Sequence, residues 1–202
     1  MNHITFKQYR NIDISIFVLL IAVSETIATL ASGKWFAAQP VALSSTLLFV
    51  CMVMMRWGGW AIIHALIGGA VFCIASGAKV DQYLIYVIGN CLSLLALLLF
   101  KAFGKEAIRK SVPKLLLFTF TAYLSMQVGR WLISLAFGGS FGTLIAYLGT
   151  DVISLLFAVV VMLLMRNTDG MIEDQKAYLF RLERERKERA EGQSFGGYGS
   201  ED

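Results

Sequence analysis

The sequence contains no His-x-x-x-His spacing, no adjacent aspartates and no Cys-x-x-Cys. The pairings that carry metal or redox chemistry are therefore missing. Cys51, Cys73 and Cys91 each fall inside an apolar segment, where a cysteine behaves as a small hydrophobe and implies no disulfide. His64 stands alone among apolar residues and glycines, a setting for helix packing more than for ligation. A metal, a cofactor and catalysis are not expected. Charge is scarce as well: 16% of the 202 residues are charged against 57% hydrophobic, with a mean hydropathy of +0.66. A water-soluble domain balances apolar residues with more charge than this. The net charge of +4 is scattered between apolar segments and forms no single patch, so no nucleic-acid partner is expected.

What is present is a series of six apolar segments, residues 13–31, 41–55, 61–76, 82–100, 115–137 and 143–165. They lie near the roughly 20 residues a helix needs to cross the hydrocarbon core. The turns between them are short, which leaves helices as the spanning structure. The first segment, preceded by Lys7 and Arg10, also has the layout of a signal peptide cleaved at Ala31, but Glu25 interrupts it. Pro40 is placed to start the second helix, and Trp57 and Trp60 suit a membrane interface. With the N-terminus inside, and the tail counted only as far as Arg181, eleven Lys and Arg fall on the cytoplasmic side against Lys34 and Lys79 outside. That bias sets orientation. The expected fold is an all-α membrane protein of six transmembrane helices with both termini cytoplasmic. A polar N-terminus (1–12) precedes the transmembrane domain (13–166). A charged cytoplasmic helix (167–191) and a Gly/Ser-rich disordered tail (192–202) follow it.

Charged groups in the membrane interior cost about 2.5 to 3.5 kcal/mol each and usually face a protein interior. At about 1.5 Å per residue, Glu25, Asn90, Arg130 and Asp151 all sit roughly 9 to 12 Å below the outer ends of their helices. Gln127 lies one turn from Arg130 on the same face, and Tyr86, Tyr147, Tyr83 and Thr150 lie near that level or above it. Four polar groups from four helices at one depth predict a polar cavity in the outer half, covered by the 32–39 loop with its aromatic pair Trp35 and Phe36. The alternative is an Arg130–Asp151 ion pair pinning two helices, with Glu25 and Asn90 bonding across the bundle. Ser24, Ala28 and Ser32 recur every four residues on the first helix, and Ala61, Ala65 and Gly69 on the third. Such stripes of small residues let helices approach closely.

These features together resemble the substrate-binding S components of energy-coupling factor (ECF) vitamin transporters over residues 10–166. The shared points are size, six spans, cytoplasmic termini, a lid-like loop after the first helix, a polar outer cavity and a small-residue stripe. The resemblance implies a multi-pass protein of the bacterial cytoplasmic membrane that captures a vitamin or related micronutrient and is not itself an enzyme. It implies docking, through Ser24, Ala28 and Ser32, on a transmembrane coupling subunit driven by a pair of ATPases. The family motif is Ala-x-x-x-Ala, which the serines here replace, and the charged tail beyond Asp169 is not typical of the family. Arg130, Asp151, Glu25, Asn90, Gln127, Tyr86 and Tyr147 would then contact the ligand, with Trp35 and Phe36 as cover. The competing class is a membrane scaffold similar to rod-shape-determining proteins, and a small channel would need a polar path through the inner half that only His64 and a few serines offer.

Overall fold

The computed structural model describes residues 5–37 and 41–196. The described residues are helical with no strand among them. The helices are α1 (Phe6–Trp35), α2 (Thr46–Trp57), α3 (Ile62–Ser76), α4 (Val80–Gly89), α5 (Leu98–Phe103), α6 (Lys105–Lys110), α7 (Val112–Ser134), α8 (Phe141–Thr150), α9 (Val152–Met165) and α10 (Gln175–Gly196). A 3₁₀ stretch, Asn90–Leu97, joins α4 to α5. By length and apolarity Phe6–Trp35, Thr46–Ser76 and Val80–Phe103 are able to cross a membrane, and α8 with α9, bent by 46°, makes a fourth if counted as one span. This is the pattern of a membrane protein.

The stretch Thr46–Ser76 is not one straight rod. A continuous helix would hold Thr46 and Gly68 roughly 33 Å apart, yet a Cβ added to Gly68 would lie 2.5 Å from Thr46 Oγ1. The chain turns back at Gly58, whose φ of 62° and ψ of −123° belong to glycine. Thr46–Trp57 and Ile62–Ser76 are thus two legs of a hairpin.

At the centre lies α2, enclosed by α1, α3, α7 and α9, with every residue but Phe49 buried. A helix apolar on all sides belongs inside a bundle. Lipid is as apolar as leucine, so close packing, more than transfer from water, holds such helices together. Small residues make it possible: Gly89 and Gly129 bring α4 against α7 so closely that a Cβ on Gly129 would overlap the Gly89 carbonyl oxygen. Bulky side chains Ile12, Ile16, Leu19, Val23 and Ile27 cover the outward face of α1.

Several element boundaries differ from the sequence expectation. The second helix starts at Thr46, not Val41, because the backbone of residues 41–45 is non-helical and bonded to neighbouring helices. The last apolar segment breaks at Asp151. The tail helix begins at Gln175 and continues through 192–196, which were expected to be disordered. Pro40, residues 38–39 of the expected lid, and the 1–4 and 197–202 ends lie outside the described residues.

Residues 170–175 close the end of the bundle opposite Ser45. Buried Arg56 pairs with Asp13 at 2.6 Å and donates to the carbonyls of Gly170 and Met171. Trp57 Nε1 donates to the same carboxylate, and the Tyr9 hydroxyl bonds Gln175. Ile172 is fully buried, Lys105 pairs with Asp174, and Glu173 accepts from Arg181 at 2.9 Å. Nearby, the hydrogen bond from Arg109 holds the Glu106 carboxyl below the usual carboxylate range.

Candidate functional site

The site forms where the non-helical lead-in to α2 meets the break between α8 and α9. The segment 41–45 runs between α1 on one side and that break on the other. From α1, Ser32 Oγ accepts the Leu43 N–H at 3.1 Å, and Glu25 Oε2 accepts both the Ser45 N–H at 2.7 Å and the Ser45 hydroxyl at 2.9 Å. Ser24 Oγ lies 2.9 Å from Ser45 Oγ. From the other side, Ala42 N donates to the Thr150 carbonyl at 2.8 Å and Ser44 N donates to Ser154 Oγ at 2.9 Å. Buried backbone groups must find partners, and here the segment and the break supply them to each other. The break frees the Leu148 carbonyl as well, and the Tyr123 hydroxyl of α7 donates to it.

Beside this junction, Arg130 and Asp151 form an ion pair, 3% and 5% exposed. Arg130 also donates from Nε to Asn90 Oδ1 at 2.8 Å and from Nη1 to Gln127 Oε1 at 3.1 Å. Gln127 Nε2 donates to Asp151 Oδ2 at 3.0 Å, closing a ring of partners. The guanidinium lies 4.6 Å from the centre of the Tyr86 ring, a cation–π contact, and Tyr147 meets Tyr86 edge-on at 6.2 Å. The Gly89–Gly129 contact sets this geometry, since it places Arg130 directly against Asn90.

Of the residues singled out by sequence, Arg130, Asp151, Asn90, Gln127, Tyr86 and Tyr147 are brought together. Glu25 is equally buried, but its hydrogen bonds go to Ser45 and not to the Arg130 ring. Trp35 is 74% exposed at the end of α1 and Phe36 is half-buried just beyond it. In the α1 stripe, Ser24 and Ser32 bond inward to the 41–45 segment, and Ala28 is half-buried. His64 is fully buried on α3, with the Phe17 ring 6.3 Å away.

Sequence reasoning missed Tyr123, Ser154 and the whole 41–45 segment. Ser44-Ser45 before an apolar run is a helix-start signal that would have placed the α2 boundary. Gly-x-Ser-x-Gly spacing occurs at 138–142 and 192–196. A nucleophile elbow needs a strand before the serine. Ser140 instead precedes α8, its N–H donating to Thr143 Oγ1 at 3.0 Å, and no strand exists among the described residues.

An outward-facing groove of 340 Å³ between α7 and α9, lined by Leu116, Leu117, Phe120, Leu155, Leu156 and Val159, is wholly apolar in its lining and separate from the ring. Among the described residues no group of three His, Cys, Asp or Glu is positioned to hold a metal. Fold and site together define a protein helical throughout its described residues, with apolar helices of membrane-crossing length and a buried charged ring beside a helix break. Comparison with protein-family models, curated proteins and solved structures finds no match.

Proposed function

We propose that this chain is the substrate-specific binding subunit of an ECF-type importer in the bacterial cytoplasmic membrane, crossing it six times with both termini and α10 in the cytoplasm. It captures a vitamin or related micronutrient from outside, performs no catalysis, and works with a transmembrane coupling subunit and an ATPase pair. The observation that carries this reading is the coincidence of the Arg130–Asp151–Gln127–Asn90 ring with the α8/α9 break and the non-helical lead-in to α2. Irregular backbone at membrane depth is tolerated where it is enclosed by protein or lines a cavity, and transporter sites are typically built from discontinuous helices. In this reading Arg130 meets an acidic or carbonyl group of the ligand. Asp151 and Glu25 meet ligand donors, Asn90 and Gln127 add neutral hydrogen bonds, Tyr86 and Tyr147 supply aromatic surface, and Trp35 and Phe36 close over the site. Ser24, Ala28 and Ser32 mark the docking face.

One observation favours a second reading, a structural membrane adaptor. The ring satisfies itself, and α10 carries an exposed charged surface suited to docking. The test is mass spectrometry of small molecules co-purifying from rich medium, followed by binding measurements on Arg130→Ala and Asp151→Ala. A ligand that both folded variants lose supports import. Folded variants that keep wild-type affinity for it, or a wild-type protein that carries no ligand and stabilises with no vitamin, overturn it.

A further inference from the structure

We infer that Glu25, Thr29 and Thr46 form a binding site for a small monovalent cation of the sodium type. This inference does not rest on the import reading. The carboxylate of Glu25 is fully buried, and only Oε2 has partners, the Ser45 N–H and hydroxyl at the start of α2. Oε1 has none, and neither do the buried hydroxyl oxygens Thr29 Oγ1 and Thr46 Oγ1. Thr29 lies one turn from Glu25 on the buried face of α1. Thr46 directly follows Ser45, whose N–H and hydroxyl bond Glu25 Oε2. Threonines in such helices ordinarily return their hydroxyl to the carbonyl four residues back, as Thr26 does to Ala22 at 2.7 Å and Thr119 to Leu115 at 3.0 Å. Thr29 and Thr46 do not.

Capping of α2 accounts for Oε2 alone. The three oxygens left over can each present a lone pair, and oxygen ligands are what a hard cation takes. Charge points the same way: in this half of the bundle the buried charged groups are Glu25, Asp151 and Arg130, two carboxylates against one guanidinium. One positive charge would balance them.

The test is the melting temperature of the purified full-length protein in detergent, with sodium chloride exchanged for potassium or choline chloride at equal ionic strength. Sodium at several times its dissociation constant should raise the melting temperature by roughly 2 to 4 °C. Glu25→Gln should abolish that rise and Thr29→Val should reduce it, while Thr26→Val leaves it intact. Should Glu25→Gln not fold, radioactive sodium binding to the wild type and to Thr29→Val decides instead. Equal melting temperatures in all three salts, a sodium effect that survives in Glu25→Gln, or a melting temperature that follows pH and ignores sodium each overturn the proposal. No vitamin or coupling subunit enters this assay, so its failure and the failure of the import reading are distinguishable.

Discussion

Removing Asp151 and Arg130 together should harm this protein less than the sum of removing each alone. Asp151→Ala leaves a guanidinium that is 3% exposed without its counter-charge, and breaking a buried ion pair from one side costs about 3 to 5 kcal/mol. Gln127 Nε2 loses its acceptor too, which adds about 1 to 3 kcal/mol for an unpaired buried donor. Arg130 keeps Asn90, Gln127 and the Tyr86 ring, so the loss should fall toward the lower half of that combined range. The double variant Arg130→Met/Asp151→Ala buries no charge, so the uncompensated-charge penalty of either single variant is gone. It leaves Gln127 Nε2 without an acceptor, as Asp151→Ala does, and the Asn90 and Gln127 carbonyl oxygens without a donor, as Arg130→Met does, so these losses cancel in the comparison. Reversible unfolding in bicelles or mixed detergent, run as a double-mutant cycle, measures the difference. A coupling of about 3 kcal/mol is the expected result. Single-variant losses that add to the double-variant loss within about 0.5 kcal/mol would refute the argument, because they would mean the two groups do not depend on one another.

Other consequences follow from the packing. Gly129→Ala should destabilise by about 1 to 3 kcal/mol, since its methyl would meet the Gly89 backbone. Gly149→Ala, with nothing within 4 Å of the added atom, should show no comparable loss in the same unfolding assay. Tyr123→Phe removes the donor to the Leu148 carbonyl and should cost about 1 to 3 kcal/mol, read by thermal denaturation. Asp13→Ala strips buried Arg56 of its carboxylate and loosens the 170–175 segment. Limited proteolysis should then cut near Gly170 faster than in the wild type, with the bundle itself surviving longer than its tail.

The intramembrane charges were the most legible part of the site. Arg130, Asp151 and Asn90 stand out because polar groups are rare in apolar runs, and counting from the helix ends put them at one level. The segment 41–45 was not legible in the same way. Val41-Ala42-Leu43 is as apolar as any helix, and what holds it open is Ser32, Glu25, Thr150 and Ser154, distant in sequence. The bond that pairs Ser44 with Ser154 spans 110 residues, beyond the reach of any local pattern. The closure at Arg56 was hidden for a related reason. Ile172 reads as one hydrophobe in a charged stretch, and only the folded chain shows that it and Gln175 are fully buried.

The non-helical lead-in to α2 and the α8/α9 break explain why these residues occupy one place. Each exposes backbone groups that a low-dielectric interior cannot leave unpaired. At the 41–45 segment these include the N–H groups of Ala42, Leu43, Ser44 and Ser45; at the break, the carbonyls of Leu148 and Thr150. Donors in excess on one side and acceptors in excess on the other are complementary, so the Ala42-to-Thr150 bond forms directly. Serine and glutamate side chains take the remaining donors, and Tyr123 takes the remaining carbonyl. A straight second helix would release Glu25, Ser32 and Ser154 from these bonds and bury them unsatisfied. The non-helical segment and the polar side chains therefore require one another, and a substitution that straightens α2 toward Val41 should also disturb Glu25 and the α8/α9 bend beside Asp151.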